Sequence, residues 1–203
     1  MAASKALPAI STIAGAVLRT KEGAEVLANT LWQSQPLAVL ILRRPGCVLC
    51  RDEAQKLWAR KAEFDQLGVG LACVVHEWIP REIEAFSPAF WPGPLYHDTS
   101  KSFYAALNGG TPLRGSVLGL LNPWGSVWQR IRAASKNVKE HNVRGEGLIM
   151  GGAMIIRRSG GGDGGEGSVA WMHVESEIGF VADPDAMLCA AREVAEAGNT
   201  QQG

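Results

Sequence analysis

The sequence predicts an α/β fold built on a central sheet of mixed strand direction, and three observations carry the prediction. Residues 36–43 and 69–76 are continuous apolar runs, the signature of strands covered on both faces. Between them lies a charged run rich in helix formers, so a β-α-β crossover joins two parallel strands. Toward the C-terminus, Gly151–Ile156 and Val169–Val174 read as a hairpin, and Asp183 caps a final helix.

The elements follow in order. Residues 1–19 are expected to be a lead ahead of the domain, partly disordered. Within it, residues 6–18 carry a weak likeness to a signal-peptide core or an organelle transit segment. The cytoplasm is the default compartment, with chloroplast or mitochondrion as alternatives. The folded domain is expected over 20–198, with a tail at 199–203. Thr20–Ser34 is expected as a helix, because Val26, Leu27, Leu31 and Trp32 form a stripe opposite Lys21, Glu22 and Glu25. A second helix opens near Cys47 and runs through Leu57, Trp58 and Phe64 to a stop at Gly68.

Residues 82–86 suggest a short helix and 94–97 a brief strand. Asp98 or Ser100 can then cap a helix through Leu107. Residues 113–143 read as an insertion of two helical pieces broken at Pro123 and packed by its tryptophans. Ser159–Gly167 is expected to be a flexible hairpin tip. It lacks the Lys-Ser/Thr of a phosphate loop and opens no helix. Pro184 suits the first turn of the last helix. This succession of elements is that of a thioredoxin-like three-layer sandwich with a central mixed sheet and a helical insertion.

Composition sets bounds. A chain of 203 residues with 46% apolar residues supports one ordinary core. Its formal net charge is zero, so the whole-chain balance points to no nucleic acid and no anionic membrane. No run approaches the roughly 20 apolar residues of a membrane span. Four cysteines, Cys47, Cys50, Cys73 and Cys189, are too few for a disulfide scaffold and suit a reducing compartment. Cys73, in a strand, and Cys189, in an alanine-rich helix, are expected to be small core residues.

Chemistry concentrates at Pro45-Gly46-Cys47-Val48-Leu49-Cys50. A strand, a glycine-containing turn and a CxxC opening a helix place the first sulfur where free N–H groups favour a thiolate. Reactive cysteines in such settings titrate at roughly 3.5–7.5. The i, i+3 spacing puts both sulfurs on one helix face, close enough for a disulfide to form and break. Cys47 is therefore the expected attacking residue, exposed at the helix start, and Cys50 the resolving one. Arg43 and Arg44 are candidates for stabilising the thiolate and a departing oxyanion. Glu146, between Gly145 and Gly147, is a candidate proton shuttle. Val48 and Leu49 are candidates for an apolar rim that suits a lipid peroxide.

The segment Leu42-Arg43-Arg44-Pro45-Gly46-Cys47-Val48-Leu49-Cys50-Arg51 resembles the active-site region of the peroxiredoxin-like 2 family. The likeness extends to Leu31-Trp32, to Tyr96, Asp98, Tyr104 and Leu107, and to Asn142–Gly147 leading into Gly151-Gly152. His173-Val174-Glu175 and Gly179-Phe180 share it, so it spans residues 20–198. The resemblance implies a thioredoxin-like fold and reduction of a peroxide, endoperoxide or disulfide. It also implies no bound cofactor, a small hydrophobic substrate, and reducing equivalents from thioredoxin or an NADPH-linked system. Two departures narrow that role. Arg44 stands where peroxiredoxins proper carry a threonine, and Gly145–Gly152 lacks the proline that thioredoxins place there.

Two other classes compete. CxxC supplies half of a structural zinc site, although no second CxxC or HxxxH occurs and His76, His97, His141 and His173 are scattered. A thioredoxin fold can also serve as a non-catalytic redox sensor.

Overall fold

The structure is a computed structural model that describes residues 6–158 and 166–200. The chain opens with a short helix α1 (Ser11–Ala14) and two strands, β1 (Val17–Arg19) and β2 (Glu25–Leu27). These strands pair antiparallel, with Val17 opposite Leu27 and Arg19 opposite Glu25. The expected helix over 20–34 is therefore absent. Gly23 sits at φ +89, the Thr20 N–H donates to Ala24 O at 2.8 Å, and the chain turns back as a hairpin. Only Ala28–Trp32 is helical, as a 3₁₀ turn that buries Trp32. Residues 11–19 also depart from the expected lead, because Ile13 and Leu18 are core residues.

The predicted crossover is present. Strand β3 (Leu37–Leu42) leads into helix α2 (Val48–Trp58), a second helix α3 (Lys61–Gln66) and strand β4 (Gly70–Val75). The two strands are parallel, with Leu40 opposite Cys73. The single expected helix is two, because Arg60, at φ −95 and ψ 6, leaves the regular helical path before α3 begins. Gly68, at φ +66, ends α3 as its sequence indicates.

Helix α4 (Pro80–Phe86), strand β5 (Leu95–His97) and helix α5 (Ser102–Ala106) follow. Asp98 accepts the Phe103 N–H at 2.9 Å and so holds the start of α5. The insertion is a 3₁₀ turn at Val117–Leu121 and helix α6 (Ser126–Asn137), broken around Pro123 as predicted. Its tryptophans do not pack it uniformly: Trp124 is 80% exposed. Strands β6 (Gly152–Arg157) and β7 (Ser168–Val174) pair antiparallel, and helix α7 (Pro184–Thr200) closes the chain. Most of the expected hairpin tip, 159–165, lies outside the described residues, as does the end of the expected tail.

The seven strands form one sheet in the order β2-β1-β5-β4-β3-β6-β7. β3–β4 and β4–β5 are parallel, and β3–β6 and β6–β7 antiparallel, so the sheet is mixed. Alternation along β3 sorts the core into two layers. Ala38, Leu40 and Leu42 face a cluster with Ala54, Leu57, Phe64 and Ala191. Leu37, Val39 and Ile41 face the other cluster, with Ile13, Trp32, Phe103 and Tyr104. Helices thus cover both sides of the sheet, and the fold is the expected thioredoxin-like sandwich. Cys73 is buried in it, whereas Cys189 is exposed on α7, because its place on that helix turns away from the buried Leu188 and Ala191.

Candidate active site

β3 ends at Leu42, and the chain reaches α2 through Arg43-Arg44-Pro45-Gly46. Cys47 is the residue before the helix, extended at φ −76 and ψ 134. Gly46 leaves room at this turn for two polar side chains: a Cβ there would lie 2.6 Å from Asn142 Oδ1 and 2.7 Å from Glu82 Oε2, so both would have to shift. The Asn142 N–H donates to Gly46 O at 2.8 Å and holds the segment after α6 against the turn. Cys50 stands one helical turn beyond Cys47, and both are thiols rather than a disulfide.

Cys47 is not exposed as expected, and Cys50 is buried with it. Cys47 is 6% exposed and Cys50 2%. The surroundings of Cys47 are nevertheless polar. Arg43 Nη2 donates to Cys47 Sγ at 3.2 Å, while Arg43 Nη1 donates to Gly147 O at 2.9 Å. Arg43 Nε faces Glu175 Oε1 at 3.4 Å, an ion pair buried on both sides. Glu175 is fixed in turn by two backbone donors, Gly179 N–H at 2.7 Å and Gly151 N–H at 3.2 Å. Gly151 must be glycine for this to happen, because a Cβ would overlap the Ile41 carbonyl oxygen.

This arrangement splits the two thiols. The Cys50 thiol hydrogen-bonds Cys47 and, with the Arg43 charge, outweighs burial and pulls the Cys47 thiol well below its ordinary range. Cys47 makes no capping bond to its own helix, so the Cys50 N–H acts on the sulfur only at longer range. Donating to Cys47 pushes Cys50 well above its ordinary range, and burial adds to the effect. The arrangement thus favours the thiolate at Cys47 and the protonated thiol at Cys50.

The other predicted residues take different places. Arg44 Nη1 donates to Val143 O at 2.8 Å, so this side chain ties down the 143–147 segment rather than contacting a sulfur. Glu146 Oε1 accepts the Leu148 N–H at 2.7 Å and Oε2 meets Arg114 at 3.4 Å. The Leu148 bond lowers its carboxyl pKa, which makes it a poor proton donor near neutrality. Val48 and Leu49 are buried and form no apolar rim. Both belong to the core layer beneath α2, because this helix faces the sheet at its first turn.

Several supporting residues have contacts that the sequence did not show. Arg51 donates to Pro45 O at 2.8 Å, bonds Glu140 O, and lies 3.5 Å from Glu82 Oε2, locking the turn from below. Tyr104 donates to Leu42 O at 2.7 Å, and His76 packs edge-on against its ring at 4.9 Å. Glu53, one turn past Cys50, has its carboxyl pushed well up by burial. Glu175 carried the one available signal, a carboxylate directly after an apolar strand. Its partner is 132 positions earlier in the chain (Arg43), so spacing could not reveal the pair. Among the described residues, no three His, Cys, Asp or Glu side chains gather where they could hold a metal.

A helix-start cysteine pair on a three-layer sandwich of this topology defines a protein of the thioredoxin-fold class. The AhpC/TSA antioxidant enzyme family matches residues 56–176, more than half of the chain. Peroxiredoxin-like 2A of Xenopus tropicalis is 41% identical over 167 residues, covering 82% of this chain and 68% of the relative. Peroxiredoxin-like 2A of Danio rerio is 34% identical over 194 residues, or 94% and 85%. The chain belongs to the peroxiredoxin-like 2 family within these antioxidant enzymes. Among solved structures, the bacterioferritin comigratory protein of Xanthomonas campestris superposes with a TM-score of 0.61 at 14% identity, covering 95% of this chain and 99% of that one. A secreted disulfide oxidoreductase of Mycobacterium tuberculosis gives 0.52 at 12%, covering 90% and 98%. These two are similar in fold. The family match begins after Cys50, so the roles of the cysteines stand on geometry.

Proposed function

We propose that the protein is a thiol-dependent oxidoreductase that reduces a peroxide or endoperoxide through Cys47 and Cys50. One observation carries the reading: a buried guanidinium, Arg43, donates to Cys47 Sγ at 3.2 Å, with the Cys50 thiol one helical turn away. A thiolate held this way is a nucleophile with its resolving partner in place.

The Cys47 thiolate attacks the outer oxygen of ROOH. An S–O bond forms, the O–O bond breaks, and RO⁻ takes a proton from solvent to leave as an alcohol. Arg43 Nη2 remains beside the sulfur and stabilises negative charge on the departing oxygen. The Cys50 thiol then attacks the Cys47 sulfenic acid, an S–S bond forms, and water departs with the Cys50 proton. A thioredoxin-type dithiol, supplied from NADPH, reduces the disulfide by exchange, and no bound cofactor takes part. The small open area at Cys47 favours a narrow peroxide group over a folded protein's disulfide.

A coupled assay with thioredoxin, its reductase, NADPH and several hydroperoxides tests this. Cys47→Ser is expected to abolish turnover, and Cys50→Ser to permit one attack without recycling. Undiminished turnover in both variants would overturn the assignment. The burial of both sulfurs favours a second reading, a redox sensor without catalysis. That reading predicts a Cys47–Cys50 disulfide on oxidation but no sustained NADPH consumption.

A further inference from the structure

The neutral balance of the whole chain conceals a strong asymmetry. Residues 113–144 contain six Lys and Arg against a single acid, Glu140, so the negative charge of this chain lies elsewhere. Two of the six are neutralised, Arg114 by Glu146 and Arg130 by Glu177. Arg132 donates to Pro123 O at 2.6 Å and Lys139 to Ser135 O at 3.1 Å, both backbone acceptors. Among the described residues no carboxylate pairs with Arg132, Lys136 or Lys139. Their i, i+4, i+7 spacing puts these three cations on one side of α6.

Beside the cations stand apolar side chains that nothing covers. Leu118 is 69% exposed, Leu121 74% and Trp124 80%. They project from the 3₁₀ turn and the Pro123 break immediately before α6. A groove of about 510 Å³ runs between Pro123, Trp128 and Ile131 on its apolar side and Arg132, Lys136 and Lys139 on its charged side. Neither sulfur lines it, so the redox chemistry does not account for it.

We infer that this insertion docks the protein on an anionic lipid bilayer. Leu118, Leu121 and Trp124 enter the headgroup–acyl boundary, and Arg132, Lys136 and Lys139 meet lipid phosphates. Protruding large apolar side chains with a tryptophan next to a row of cations form the combination an interface rewards twice, by burial and by charge. A second copy of the chain fits less well, because a symmetric pair would gather six cations without carboxylate partners into one interface. Three apolar side chains this exposed also suit a fluid interface better than a rigid acidic protein, which would bury the cations but need its own apolar pocket for Leu118, Leu121 and Trp124. The attachment proposed is peripheral, through side chains of the insertion; no helix among the described residues is long and apolar enough to cross a membrane. α6 packs against α2, and Asn137 Nδ2 donates to Asp52 Oδ1 at 2.8 Å, which links the docking face rigidly to the cysteine helix.

The test is co-sedimentation of the full chain with two kinds of vesicle. One is phosphatidylcholine alone; the other contains equal parts of phosphatidylcholine and phosphatidylglycerol. Binding is expected to the anionic vesicles only, with a blue shift in tryptophan emission that Trp124→Ser removes. Each surface cation contributes about fivefold in partitioning, so Lys136→Gln with Lys139→Gln lowers binding roughly 25-fold and high salt does the same. These positions are exposed, and a circular dichroism melt checks that the variants stay folded. Failure to bind anionic vesicles, or equal binding to neutral ones, overturns the proposal. So does self-association that Trp124→Ser abolishes without vesicle binding, or binding to an acidic polypeptide with none to vesicles.

Discussion

Replacing Arg43 should raise the pH at which Cys47 becomes reactive. Arg43 Nη2 lies 3.2 Å from the sulfur, and the guanidinium is buried. A hydrogen bond to a charged partner contributes about 1.5–3 kcal/mol. Since about 1.4 kcal/mol is a factor of ten, its loss lowers the thiolate-to-thiol ratio roughly ten- to a hundredfold. A single Arg43→Met variant is a poor instrument, because it strands Glu175, which lies 3.4 Å from Arg43 Nε. An uncompensated buried charge costs about 3–5 kcal/mol and would disturb the fold. The informative comparison is Glu175→Gln alone against Glu175→Gln with Arg43→Met. Both should carry Cys189→Ser, because Cys189 is exposed and would react first. The assay is the rate of alkylation of Cys47 by a small haloacetamide as a function of pH. The Arg43 variant is expected to show its reactive limb displaced to higher pH. An unchanged profile would refute the claim that this guanidinium holds the thiolate.

Three further outcomes follow from the same geometry. Gly151→Ala drives a Cβ into the Ile41 carbonyl and should cost about 1–3 kcal/mol, read as a lower urea midpoint. Tyr104→Phe removes the donor to Leu42 O at 2.7 Å and to Val74 O at 3.2 Å, and should cost about 1–2 kcal/mol by the same measurement. Cys47 has a folded pKa below its unfolded value, so its stabilising contribution is fully present above the unfolded value of about 8.5. That contribution is lost as pH falls through the depressed value. The stability difference between the dithiol protein and Cys47→Ala should therefore grow from acid toward mildly alkaline pH, and a constant difference would contradict the shift.

The parts legible in the sequence are those where a local rule decides. β3 and β4 read correctly because helices cover both faces of the sheet, so Leu37–Leu42 and Gly70–Val75 are apolar throughout. The stretch after Thr20 misled because Val26, Leu27, Leu31 and Trp32 read as a helical stripe. There the competing rule was a glycine at positive φ closing a hairpin of three-residue strands, too short to show a period of two. At the site, a turn-plus-CxxC signal is local, and Cys47 and Cys50 were found by it. Arg43 and Arg44 could not be told apart, because neighbours leaving a strand point opposite ways and only the register assigns the faces. Here Arg43 turns to the sulfur and Arg44 to the 143–147 segment. Glu175 and Arg51 act through partners distant in the chain, which no window of sequence contains. The docking face was hidden differently. A chain-wide sum of zero says nothing about where charges sit.

The most direct test treats the dithiol protein, in the Cys189→Ser background, with one equivalent of a hydroperoxide and maps the oxidised sulfurs by peptide mass spectrometry. A Cys47–Cys50 disulfide is predicted for that protein, and a sulfenic acid confined to Cys47 when Cys50→Ser is added. Oxidation that begins at Cys50, or a Cys47 that stays reduced in both proteins, would contradict the assignment of Cys47 as the ionised nucleophile.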